Sequence, residues 1–127
     1  MPALADLRFS PAHVWARVED GVAVVGLTDY LQDQLGDIIA IDLPDIGDVV
    51  RAQRRMGGVR SDEAATALES PITGEVVDVN NEVLHTPDLA NHEPYDGGWL
   101  LRVRLEDATE LDDLMSEEEY TELTTEV

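Results

Sequence analysis

Val14-Trp15-Ala16-Arg17-Val18-Glu19-Asp20-Gly21-Val22-Ala23-Val24-Val25 is the segment from which the fold is read. Residues 14–18 alternate in the manner of a strand with two unlike faces, and residues 22–25 are an unbroken apolar run. Asp20-Gly21 between them is a strong two-residue hairpin signal, because glycine tolerates the positive φ that a tight turn demands. The segment therefore predicts two antiparallel strands. Beyond them Thr28 is placed to cap a short helix over residues 29–35, which Gly36 stops.

Further along, residues 38–43 read as a buried strand, and Pro44 with Gly47 turns the chain. Residues 49–55 read as another strand that ends at Met56-Gly57-Gly58. Residues 61–69 are rich in Ala and Glu but lie between strands, so they predict an exposed hairpin, with a helical tip as the alternative. In residues 75–79, Val76 and Val79 cannot share a face without a bulge or a sheet covered on both sides. Residues 99–105 alternate, with Trp99, Leu101, Val103 and Leu105 inward and Arg102 and Arg104 outward. In the tail, Leu111, Leu114 and Met115 supply an apolar stripe, and Ser116 with Glu119 has the spacing of a capping box. Many short strands with little helix predict a mainly β domain, a sandwich or barrel with a core over about residues 7–105 and a helical tail over about 108–125.

The chain has 127 residues and a formal charge of −20. Such a surface repels phosphate backbones and anionic lipid, which argues against nucleic-acid and membrane partners. It suits either steering toward basic proteins or simple solubility. All the basic side chains other than histidine are arginines, and lysine is absent. Absent cysteine excludes disulfides and thiolate chemistry. No long apolar run or basic-then-apolar leader is present, so a cytoplasmic protein is expected.

His13, His85 and His92, even with Asp88 and Glu93 nearby, match no metal-ligand spacing and read as structural. Trp15, Tyr95 and Trp99 read as packing residues, and Asp96-Gly97-Gly98 as a turn. No phosphate loop, nucleophile elbow or catalytic dyad is present, so no enzyme activity is expected. Arg51, Arg54, Arg55 and Arg60 fall within ten positions. They read either as an anion or partner patch, or as ion-pair partners of Asp48, Asp62 and Glu63.

Several motifs resemble those of the glycine cleavage H-protein family. They are His13-Val14-Trp15, the segment from Gly26 to Asp37, Leu43-Pro44-Asp45-Ile46-Gly47, Ser70-Pro71-Ile72-Thr73-Gly74-Glu75-Val76, and Glu93-Pro94-Tyr95-Asp96-Gly97-Gly98-Trp99. The resemblance runs from about Leu7 to Tyr120. It implies a lipoyl-domain-like barrel-sandwich hybrid of two packed β-sheets, with a short internal helix and a C-terminal helix.

The family attaches lipoate to the lysine of a Glu-Ser-Val-Lys-Ala motif, which falls here on Arg60-Ser61-Asp62-Glu63-Ala64. Glu63 stands at the lysine position, so the resemblance implies a family frame for which lipoate is not expected. The family's loaded arm rests in a cleft held by a serine, a glutamate and an aspartate, whose positions are Ala12, Val14 and Ala67 here. Polar groups in such a cleft are useful only where an amine arrives to meet them.

The expectation is a non-catalytic interaction, regulatory or structural relative of the carrier. Arg60, Ser61, Asp62 and Glu63 are its candidate partner contacts, and glycine cleavage proteins or lipoate-handling enzymes its candidate partners. The alternatives are a small-ligand module using the vacated cleft between Val14 and Ala67, now more apolar, and an H protein whose carrier function is altered or lost.

Overall fold

The computed structural model describes residues 7–62 and 64–125. Its first elements are the strands β1 (Arg8–Phe9), β2 (Val14–Glu19) and β3 (Val22–Leu27), followed by helix α1 (Asp29–Leu35) and strand β4 (Ile38–Asp42). Strands β5 (Val49–Val50), β6 (Arg55–Ser61), β7 (Ala65–Glu69) and β8 (Gly74–Val79) come next, then helices α2 (Asn81–His85) and α3 (Leu89–His92). Strand β9 (Leu101–Leu105), a 3-10 turn (Ala108–Asp113) and helix α4 (Glu117–Thr125) complete the chain. The strands form two antiparallel sheets, one of order β1-β2-β3-β9-β8-β5 and one of order β4-β6-β7.

The Asp20-Gly21 turn has positive φ at both residues, 51° and 79°, as a type I′ hairpin requires. It sets the register Val14↔Leu27, Trp15↔Gly26 and Ala16↔Val25. One face of the hairpin sends Val14, Ala23, Val25 and Leu27 into the main core, shared with Met56, Val59 and Leu68 of the smaller sheet. The opposite face sends Trp15 and Val24 into a second cluster with Leu7, Phe9 and Tyr120. Coverage on both sides is why residues 22–25 read as continuously apolar.

Trp15 explains its neighbour. A Cβ on Gly26 would lie 2.6–2.8 Å from the indole ring, so only glycine fits beneath it. The indole N–H donates to the Pro94 carbonyl at 2.8 Å, which ties the hairpin to the loop before β9.

Thr28 caps α1 by accepting from the Leu31 amide, and Gly36 ends the helix at φ 80°. β8 does carry a register shift between Val76 and Asp78. The capping box is present as well: the Ser116 amide donates to the Glu119 carboxylate and the Glu119 amide to the Ser116 hydroxyl.

Other expectations are corrected. Within β4 only Ile38 is buried, while Ile39 is 53% exposed, because the strand forms an edge of the smaller sheet. The strand expected over 49–55 is interrupted by a turn. There Gln53 takes φ 66° and donates its amide to the Ser70 carbonyl, so Met56-Gly57-Gly58 lies inside the next strand. Trp99 packs with the second cluster, and Arg102 lies 4.5 Å over its ring, so it does not share the inward face of Leu101 and Val103. Leu100 takes the buried place, because β9 begins only at Leu101. Helices α2 and α3 are additional to the single internal helix expected. The tail's apolar residues also divide: Leu111 and Leu114 pack on the main core and Met115 on the second cluster.

The tail is clasped onto the sheet. Phe9 and Met115 exchange both backbone hydrogen bonds, at 2.8 and 2.7 Å. The Tyr120 ring stacks on Phe9 at 4.7 Å, and its hydroxyl lies 2.8 Å from Thr28 Oγ1 and 2.7 Å from His13 Nδ1. With a neutral His13, the Leu31 amide donates to Thr28, Thr28 to Tyr120, and Tyr120 to the ring nitrogen, so every proton has one acceptor. A protonated ring donates instead, and the Thr28 proton must find another acceptor.

Burial lowers the pKa of His13 from its ordinary 6.5, so the folded state prefers the neutral ring. The resulting stability is fully present above pH 6.5 and is lost as pH falls toward the folded value. We expect the melting-temperature drop between about pH 7.5 and about pH 5.5 to be smaller in His13→Asn, which also tolerates positive φ, than in the wild type.

Gly74→Ala tests the β8–β9 packing. Its Cβ would run into the Arg104 carbonyl and the Val103 side chain, and we expect a loss of about 1–3 kcal/mol by urea denaturation.

Candidate functional site: the β6–β7 hairpin

β6 is the central strand of the smaller sheet, between β4 and β7. Its register is Ile38↔Ser61, Ala40↔Arg60 and Asp42↔Gly58 on one side, and Gly58↔Ala67, Val59↔Thr66 and Arg60↔Ala65 on the other. Gly57 sits where a Cβ would strike the Asp42 carbonyl, so the hairpin is drawn hard against β4.

Ser61 closes the tip. Its amide donates to the Ala64 carbonyl at 2.8 Å, and its hydroxyl donates to the same carbonyl and accepts from the Ala64 amide. The Asp62 amide donates to Asp37 at 3.3 Å, which fastens the tip to the turn after α1. That turn is held in its own right by Asn91, whose side chain accepts from Ile38 and donates to Gly36 and Gln32.

The four candidate contacts therefore divide. Arg60 and Asp62 are exposed and free to meet a partner. Ser61 is 4% exposed and its hydroxyl is occupied within the tip, so it holds the hairpin together and presents nothing outward. Glu63 lies outside the described residues. No helix forms at the described tip positions; both arms are strand.

Ala12, Val14 and Ala67 do not form one cleft. Val14 is fully buried in the main core, where a carboxylate would be withdrawn from water among apolar side chains. Ala12 lines a cavity of about 360 Å³ with Gln53, Glu69 and Glu110, whereas Ala67 lines a separate trough on the outer face of the smaller sheet. The apolar cleft expected between Val14 and Ala67 is not assembled.

The histidines are likewise dispersed: His13 joins Tyr120, His85 Nδ1 lies 2.8 Å from the Asn81 carbonyl, and His92 lies 3.7 Å from Asp88. Among the described residues no group of three His, Asp or Glu is placed to hold a metal, and no helix is long and apolar enough to cross a membrane. Among the described residues the clustered arginines make no ion pair with Asp48 or Asp62, and a pairing with Glu63 lies outside the described residues. The described ion pairs of arginine are Arg17–Glu19, Arg102–Asp78 and Arg104–Glu75.

Comparison with known proteins places this hairpin in a family. The glycine cleavage H-protein model matches residues 7–127. The chain belongs to the glycine cleavage H-protein family. It is 46% identical over 116 residues to the glycine cleavage system H protein of Alcanivorax borkumensis, covering 91% of each chain. It is 41% identical to a probable H protein of Aeropyrum pernix, over 92% of this chain and 82% of that one. The crystal structure of the H protein from Mycobacterium marinum superposes with a TM-score of 0.88 at 28% identity, covering 97% of this chain and 98% of that one. The lipoyl-domain-like, two-sheet architecture is thus the family's own.

An amide-linked lipoyl arm requires a side-chain amine, and this chain has no lysine at any position. Arg60, Ser61, Asp62 and Ala64 supply a guanidinium, a hydroxyl, a carboxylate and a methyl group, none of which can take an amide-linked arm. The residues present do not fit the cofactor.

Sequence reasoning missed what Ser61 does, since the hydroxyl's two bonds to Ala64 depend on the tip geometry. We expect Ser61→Ala to cost roughly 1 kcal/mol and to raise amide exchange at residues 61–65 while β2 and β3 stay protected.

Proposed function

We propose that this chain is a member of the H-protein family that does not carry lipoate and works by binding other proteins. The observation that carries the proposal is chemical. The position matching the family's attachment lysine is Glu63, and no other side chain supplies an amine. A carboxylate cannot accept an activated acyl group as an amide, so the arm has no covalent anchor.

The remainder of the frame supports an interaction role. The described part of the hairpin is still held against β4 and the α1 turn through Gly57, Ser61 and Asp62. In this reading the protein is not an enzyme. Its partners are proteins that handle H proteins, namely glycine cleavage proteins or lipoate-handling enzymes, met in the cytoplasm. Arg60 and Asp62 flank the tip that they would meet, and the high negative charge speeds encounter with a partner that presents basic side chains.

Incubation with a lipoate ligase, ATP and lipoate, followed by intact-mass measurement, tests the proposal. An unlipoylated H protein that carries the attachment lysine and a Glu63→Lys variant serve as controls. The wild type is expected to keep its unmodified mass while the control H protein gains one lipoyl group. A lipoyl addition on the wild type would defeat the proposal.

A further inference from the structure

The outer face of the smaller sheet carries a trough of about 480 Å³, lined by residues that include Ala40, Gly58 and Ala67 along its floor and Arg55, Arg60 and Asp42 around it. Arg55 folds back along its own strand. Its Nε donates to the Gly57 carbonyl at 3.2 Å, and Nη2 lies 3.5 Å from where a Cβ on Gly58 would stand. A guanidinium therefore overlies the glycine floor. Arg60 lies two residues beyond Gly58 on the same face of β6, roughly 7 Å along the strand, and is exposed.

In a chain with 28 acidic residues, an arginine would be expected to find a carboxylate. Among the described residues Arg17, Arg102 and Arg104 do so, at 3.1–3.3 Å, whereas Arg8, Arg51 and Arg54 make no ion pair. Around the trough none does. Arg55 and Arg60 make no ion pair among the described residues, although Asp42 lines the same trough and Glu69 stands opposite Arg55 in the sheet. Arg55 and Arg60 are thus two guanidiniums against which no described carboxylate is held, on a strongly negative molecule.

We propose that this trough binds a small dianion whose two oxyanionic groups, carboxylate or phosphate, are taken by Arg55 and Arg60. Guanidinium forks match both groups in plane and charge. The floor of glycine and alanine leaves room for a short linker to lie against the sheet, and the volume falls within the range of small-molecule sites. Size selects against longer polyanions. A nucleic acid would present charge to the whole acidic surface, whereas a compact dianion meets mainly what lies within a screening length of about 8 Å.

Amide chemical-shift titration of the full chain with succinate and, separately, with pyrophosphate tests the site. We expect saturable shifts at Gly58, Arg60 and Ala67 with at least one probe at millimolar concentration. Succinate alone would identify a dicarboxylate site, pyrophosphate alone a phosphate site, and both a general oxyanion site. The double variant Arg55→Gln/Arg60→Gln should weaken binding by about tenfold, since two exposed charge-assisted contacts together are worth about that factor. Ala67→Asp, which sets a carboxylate in the trough without removing an arginine, should do the same. All these substitutions are at exposed positions, and unchanged shifts in β2 and β3 would verify the fold. The site would be overturned if neither probe saturates, or if binding survives both sets of substitutions unchanged.

Discussion

The indole of Trp15 lying on the backbone of Gly26 is the contact on which the rest of the architecture depends. It occupies the space a side chain at position 26 would need, and its N–H reaches across to the Pro94 carbonyl. Its ring also neighbours that of Tyr95, with centroids 6.2 Å apart. One side chain thereby joins the first hairpin, the loop that feeds β9 and the cluster that receives the tail. Aromatic burial of this kind is a large contribution in a domain of this size, and the indole leaves no buried donor unpaired.

With the larger sheet covered on that side, its other face is free to pack the smaller sheet, and the β6–β7 hairpin follows. Val59 and Leu68 point into the shared core, so Gly58, Arg60 and Ala67 lie on the outer face. The close approach of Gly57 to Asp42 then fixes how the hairpin leans on β4. The tip is set by packing and by the bonds of Ser61 and Asp62, none of which involves a cofactor. This explains how a chain without the family's reactive amine keeps the family's frame: the forces that build the hairpin are separate from the chemistry it ordinarily serves.

Much of this was legible from local chemistry. Asp20-Gly21, Thr28 with Gly36, and Ser116 with Glu119 each encode their turn or cap through bonds made within a few residues, and each stands where the sequence puts it. What escaped depends on distant partners. The break at residues 51–54 is held from Ser70, and Trp99 is drawn to the second cluster by its neighbours rather than by alternation. Helices α2 and α3 are too short to show a period. At the site, the replacement of the lysine was plain in the sequence. That Ala12, Val14 and Ala67 would be scattered among a cavity, the core and a trough was not, because burial of Val14 is decided by how the two sheets meet.

The central claim is that a lipoyl-carrier scaffold persists here without a tether. The intact mass of the protein isolated from the cells that make it, grown with lipoate available, addresses this most directly. The account predicts the mass of the bare polypeptide, allowing only for processing of its N-terminus. A fraction heavier by one lipoyl or dihydrolipoyl group, by whatever linkage, would contradict it.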